Sequence, residues 1–300
     1  MNYSKAIRYN QEQATQVGWE PDWFIPNHKI FDAELVDAIR DWQEEHGLTA
    51  DGMCGSGTYR RKYTERLSDM DYVRSEVPKK DQNFLIFGGE PLPINWPKVV
   101  LWNEPGGLKT AEGKYTNKIG QQKRDIKMFV NHWDVCLNSA SCQKVLNAPG
   151  RQASIHLMVD NDGTIYQSMD LQNIAWHAGG SSWNACSIGV EISNAYYTKY
   201  QSWYVKNGFG ERPLAYGSVN GRELGEHLDF YDIQKKAVRA IWQCMHRNLY
   251  IPLKAPDVEG LHQGARNCQF RGFVHHYHLS SKKIDCGGWD ICRELKMVQP

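Results

Sequence analysis

The chain has 300 residues, enough for one large domain or two modest ones, and its 41% hydrophobic and 23% charged content is that of an ordinary globular protein. Its formal charge of +1 gives no electrostatic case for nucleic acid or for an anionic membrane surface. No apolar run reaches the length of about eighteen residues that a membrane span needs, and the first ten residues lack the apolar stretch of a secretory signal, so synthesis in a cytosol without a signal peptide is expected.

Residues 31–45 put Leu35, Val36, Ile39 and Trp42 at helical spacing on one face, and Gly47 stops that helix. Asp51-Gly52 is turn chemistry, and a further helix opens at Thr58. A helix rich in Gln, then Gly47-Leu48, the Asp-Gly turn and Gly55-Ser56-Gly57-Thr58 resemble the small three-helix peptidoglycan-binding module found beside cell-wall hydrolases. The resemblance covers residues 1–68 and implies attachment to bacterial peptidoglycan. Residues 69–95 contain the charged Val77-Pro78-Lys79-Lys80-Asp81 and the Pro/Gly-marked stretch 87–93, a composition that fits a linker.

From residue 96 onward, segments alternate. Residues 98–102, 126–130, 155–159 and 187–192 predict strands, and 232–245 predicts an amphipathic helix. The expectation is an α/β (α+β) catalytic domain over 96–300, with a central mixed β-sheet flanked by helices, next to the three-helix module. Of eight cysteines, Cys136 and Cys142 flank a small polar loop and could form a bridge, while most others fit buried apolar positions.

His132 ends the strand-like run Lys127-Met128-Phe129-Val130-Asn131-His132, and His275-His276-Tyr277-His278 precedes Asp285-Cys286-Gly287-Gly288. One imidazole on a strand end plus a distant cluster of imidazole, thiolate and carboxylate is the material of a catalytic zinc site, in which three ligands leave a fourth position for water.

Residues 153–165, then Ala175-Trp176-His177-Ala178-Gly179, then Ser187-Ile188-Gly189-Val190-Glu191 resemble the zinc-dependent N-acetylmuramoyl-L-alanine amidase family in content and order. That family includes phage lysozyme-type amidases, anhydro-muropeptide amidases and peptidoglycan recognition proteins, and it hydrolyses the amide between N-acetylmuramic acid and L-alanine of the stem peptide. The resemblance implies zinc held by His132, by His276 in preference to His278, and by Cys286, with Asp285 the alternative third ligand. The family's tyrosine before the Tyr-His strand histidine is replaced by Ile155, which leaves Glu191 as the expected general base. The lysine two places before the last ligand is replaced by Ile284, so Lys283, or Lys282, is the candidate for steadying the oxyanion. Trp176 and His177 are expected to line the cleft and touch substrate.

The expected protein is a zinc amidase of the phage endolysin kind, monomeric, made in the host cytoplasm and acting on the cell wall, with no nucleic-acid partner and no membrane insertion. A bacterial muropeptide-recycling amidase and a non-catalytic recognition or tail-associated binding protein are the alternatives. The excursion at 196–225 is read either as a gating loop or as a surface feature.

Overall fold

The computed structural model describes residues 1–73, 77, 80 and 82–299; residues 74–76, 78, 79 and 81 of the expected linker lie outside the described residues. The chain divides into two compact units, residues 1–71 with 144–152, and residues 72–143 with 153–300.

The first unit contains α1 (Tyr3–Val17), α2 (Ala33–Glu45) and α3 (Ser56–Ser68). Asn2 and Asp32 cap the first two by accepting from the amides of Lys5 and Leu35. The predicted stripe is the buried one: Leu35, Val36, Ile39 and Trp42 all face inward from α2. Two buried amide side chains fix the turn before α3. Asn10 donates to the Gly52 carbonyl and accepts from the Cys54 amide, while Gln43 accepts from the Gly52 amide and donates to Asp51, Met53 and Thr58. Gly52 sits at φ 68°, and a Cβ there would stand 2.7 Å from the Val36 side chain, so both backbone and packing demand glycine.

In the second unit, β1 (Phe84–Phe87) and β2 (Glu90–Pro93) form an antiparallel hairpin where the sequence suggested linker. Gly88 and Gly89 both take positive φ in the turn, their amides donate to Asp170, and Leu85 and Phe87 enter the core. Then follow β3 (Val99–Leu101), β4 (Tyr115–Thr116), β5 (Met128–Trp133), α4 (Ser139–Asn147, of which residues 144–147 count with the first unit), β6 (Leu157–Val159), β7 (Ile165–Gln167), β8 (Ile174–Ala175), α5 (Ser181–Ala185) and β9 (Ser187–Ile192). The excursion carries α6 (Gln201–Lys206) and the short strands β10 (Leu214–Ala215), β11 (Ser218–Val219) and β12 (Arg222–Glu223), and β13 (His227–Leu228) follows it and pairs with β10. The remainder is α7 (Asp232–Leu249), α8 (Gln263–Arg266), β14 (Gly272–His275) and α9 (Ile291–Leu295).

Six strands form one mixed sheet in the order β14-β5-β9-β6-β7-β3. The four from β14 to β6 run parallel; β7 is antiparallel to β6, and β3 is parallel to β7. Every residue of β5 is buried, as a strand covered on both faces requires. Phe129 and Trp133 join the main core with Val238, Ile241, Trp242 and Met245 of α7, whereas Met128 and Val130 join a second cluster with Ala178, Val274 and Leu279. His132 alternates with Trp133 and so falls on the second face.

The excursion is tied to this sheet. Arg212, 2% exposed, donates to the carbonyls of Asp229 and Ser193 and to the side chains of Gln234 and Asn161. Its guanidinium also lies 4.2 Å and 4.4 Å from the ring centroids of Tyr204 and Tyr231. Further along, the β11–β12 hairpin rests on Gly287: a Cβ at that position would meet the side chains of Leu224 at 2.4 Å and Val219 at 2.6 Å. Replacing Arg212 by Met leaves several buried acceptors without a donor, and denaturant unfolding should show a loss of about 3 kcal/mol or more. A loss below about 1 kcal/mol would mean that the excursion is not anchored through this side chain.

Candidate metal centre

The carboxyl ends of parallel strands are where an α/β sheet leaves room for a ligand, and three polar side chains meet there. His132 is near the end of β5, and His276 directly follows β14, which pairs with β5 in a register that sets His275 opposite Asn131. Asp285 arrives on the loop between β14 and α9. His132 Nδ1 is 2.9 Å from His276 Nδ1 and 3.0 Å from Asp285 Oδ2, which is itself 3.1 Å from His276 Nδ1. All three residues are buried.

The chemistry of this trio suits a cation. His276 Nε2 is 3.2 Å from the Ala178 carbonyl, which can only accept, so the proton is on Nε2 and the Nδ1 lone pair faces the carboxylate. Burial, reinforced by His276, pushes the His132 imidazole down to about 4, which keeps it neutral near pH 7. Burial acts to raise the Asp285 carboxyl, but His276 and His132 beside it hold it well below the usual carboxylate range. Two imidazoles and an ionised carboxylate are a three-ligand set for a catalytic divalent metal. The separations of 2.9–3.1 Å are close to the roughly 3.3 Å edge of a tetrahedron with bonds of about 2.0 Å.

The third position corrects one expectation. Cys286 is not brought to the histidines: its side chain is fully buried in the main apolar core, and burial, then the charge of Asp285, pushes its thiol well above its ordinary range. The neighbouring Asp285 occupies the place instead. His276 and His278 do not share a face either, because residues 276–278 form a 3-10 turn where an extended segment was assumed. His278 Nε2 is directed at the Val258 carbonyl, 3.0 Å away, and its Nδ1 accepts from the His275 amide.

Glu191 is the Cα partner of His132 on adjacent parallel strands, so both side chains leave the sheet on the same face. Lys283 is exposed, close enough for its charge to help depress His132. Trp176 is half-buried with its indole N–H donating to Thr116 Oγ1. His177, half-buried like Trp176, also reaches the first imidazole: Nδ1 is 3.0 Å from His132 Nε2, and Nε2 is 3.2 Å from Ser187 Oγ. Burial, then the adjacent His132, holds its imidazole well below the ordinary range.

Three residues near the site were given no role in the sequence reading, although Ser187 and Gly189 stand in the block that carries the family resemblance. Asn184 Oδ1 accepts from the amides of His177 and Ala178 and so shapes the loop that carries them. Ser187 bonds His177, and Gly189 lies beneath the ring of His177, where a Cβ would be 2.5 Å from Nδ1. A glycine inside a strand pattern signals such a close approach; the serine and asparagine carried no signal of their own.

The profile of the N-acetylmuramoyl-L-alanine amidase family matches residues 122–288, which includes the whole trio, and that of a putative peptidoglycan binding domain matches residues 10–61. Among solved structures, the chain is similar to the catalytic domain of XlyA, at 17% identity and TM-score 0.37 over 61% of this chain and 87% of that one. It is also similar to a mutant endolysin from Bacillus subtilis, at 18% identity and TM-score 0.36 over 62% and 87% of the two chains. For a selenomethionine derivative of AmpD the values are 16% identity and TM-score 0.34 over 66% and 93%. No curated protein matches the chain. With more than half of its length covered by that one family profile, the chain belongs to the N-acetylmuramoyl-L-alanine amidase family.

Proposed function

We propose that this amidase holds zinc through His132, His276 and Asp285, and that it cuts the amide joining N-acetylmuramic acid to L-alanine in peptidoglycan, as a phage endolysin does. The observation that carries the reading is the trio of Nδ1, Nδ1 and Oδ2 atoms within 3.1 Å of one another, inside the stretch that matches the amidase family. In this reading the helical module of residues 1–68 keeps the enzyme on the wall, and the unit that holds the trio, including the hairpin at 84–93 that the sequence suggested as linker, catalyses. Among the described residues no helix is long and apolar enough to cross a membrane.

Zinc at this position supplies Lewis acidity to the water and to the scissile carbonyl. The chain's own residues then divide the remaining work. Glu191 takes a proton from the attacking water and returns one to the departing amine of L-alanine. Its place beside His132 on the same sheet face suits both transfers. Lys283, exposed at the rim, offers a positive charge to the developing oxyanion. Trp176 presents a half-buried ring to the sugar or stem peptide.

Digestion of purified sacculi followed by mass spectrometry should yield new free L-alanine amino termini and no new reducing sugar ends; new reducing ends alone would reject the amidase reading. Metal analysis should find about one zinc per chain, lost in Asp285→Asn and retained in Cys286→Ala. If the alanine variant loses the metal and the asparagine variant keeps it, the thiol is the ligand after all. Glu191→Gln should retain zinc and turn over at least about a hundredfold more slowly. Near-normal turnover with zinc in place would assign the base to another residue.

A further inference from the structure

A directed chain of hydrogen bonds stands behind the candidate centre. Ser187 Oγ lies 2.6 Å from the Trp183 carbonyl, which only accepts, so the hydroxyl hydrogen points there. The same oxygen is then the acceptor for His177 Nε2 at 3.2 Å, which puts the His177 proton on Nε2 and leaves Nδ1 with a lone pair. His132 Nε2 stands 3.0 Å from that Nδ1 and must donate to it. The chain of donors ends with His132 protonated on Nε2 and its Nδ1 lone pair turned toward His276 Nδ1 and Asp285 Oδ2.

The surroundings hold this order in place. Gly189 lets the His177 ring lie against β9, where any Cβ would crowd the very nitrogen that accepts from His132. Asn184 fixes the backbone at His177 through two amide hydrogen bonds of 3.1 Å and 2.8 Å. The two rings meet edge to face, with centroids 5.2 Å apart and planes at 88°, which aims a nitrogen of one at a nitrogen of the other.

We propose that Ser187 and His177 are positioning residues that lock His132 in its Nε2-protonated tautomer, so that Nδ1 is presented bare to the metal. The consequence for zinc rests on the metal reading above; in the metal-free protein the Asp285 carboxylate, 3.0 Å from His132 Nδ1, competes for the same proton, and the relay from Ser187 and His177 is what holds that proton on Nε2. Without the Ser187 hydroxyl, His177 is free to carry its proton on Nδ1 and donate to His132 Nε2. The His132 proton is then driven onto Nδ1, where it blocks the ligand position.

The test uses the full chain with isotope-labelled histidine rings, freed of metal, so that NMR reports which nitrogen of His132 is protonated; zinc affinity is measured separately by competition with a chelator. The expected parent form is Nε2-protonated. Ser187→Ala should give a mixture of tautomers and zinc affinity lower by about ten- to hundredfold. Ser187→Thr, which keeps the hydroxyl, should restore the single tautomer. A parent protonated on Nδ1, or a Ser187→Ala protein with the tautomer unchanged, overturns the relay however tightly zinc binds. A parent in the Nε2 form that takes up no zinc supports the relay and rejects the metal reading.

Discussion

The parallel placement of β5 between β14 and β9 is the constraint on which everything else depends. It carries His132, Glu191 and the residue that precedes His276 to the same end of the sheet. Because paired residues in a parallel ladder share a face, no further device is needed to put the base candidate beside the first imidazole. The opposite face is given over to apolar contact with α7, and that contact fixes the strands from below. A slip of one residue in either pairing would turn His132 into the apolar core and bring Trp133 up in its place.

The cost of the arrangement is electrostatic. His132 and His156 are buried and His177 half-buried, and all three are pushed toward the neutral form, first of all by desolvation. A neutral imidazole is a better ligand than a charged one, so the burial that burdens the fold also prepares the site. His156 takes no part in the trio, yet its Nδ1 accepts from the Gly189 amide and so steadies the strand on which the relay lies.

Much of this was legible in the residues. The stripe on α2, the strands at 126–130 and 187–192, and the two distant histidine segments all follow from spacing and side-chain type, and the structure has elements at each. The third corner of the trio was harder, because Asp285 and Cys286 are both competent donors and adjacent in sequence. What separates them is the apolar company that Cys286 keeps, which only the fold supplies. The hairpin at 84–93 was obscured for a related reason: Gly and Pro mark a linker and a tight turn alike, and the carboxylate that anchors the turn is Asp170, far away in the chain. Ser187 and Asn184 were illegible because small polar residues declare a purpose only through their partners.

The seating of the β11–β12 hairpin on Gly287 reaches further than packing. Gly287 is two residues from Asp285, and the side chains of Val219 and Leu224 fill the space that a Cβ would need. The excursion and the aspartate loop are thus a tongue and its groove, separated in the chain and joined in space. Shortening the tongue leaves the groove unsupported beside Asp285, and a side chain in the groove lifts the tongue. The two segments can diverge only in step, so a descendant of this chain that trades one will carry a matching change in the other.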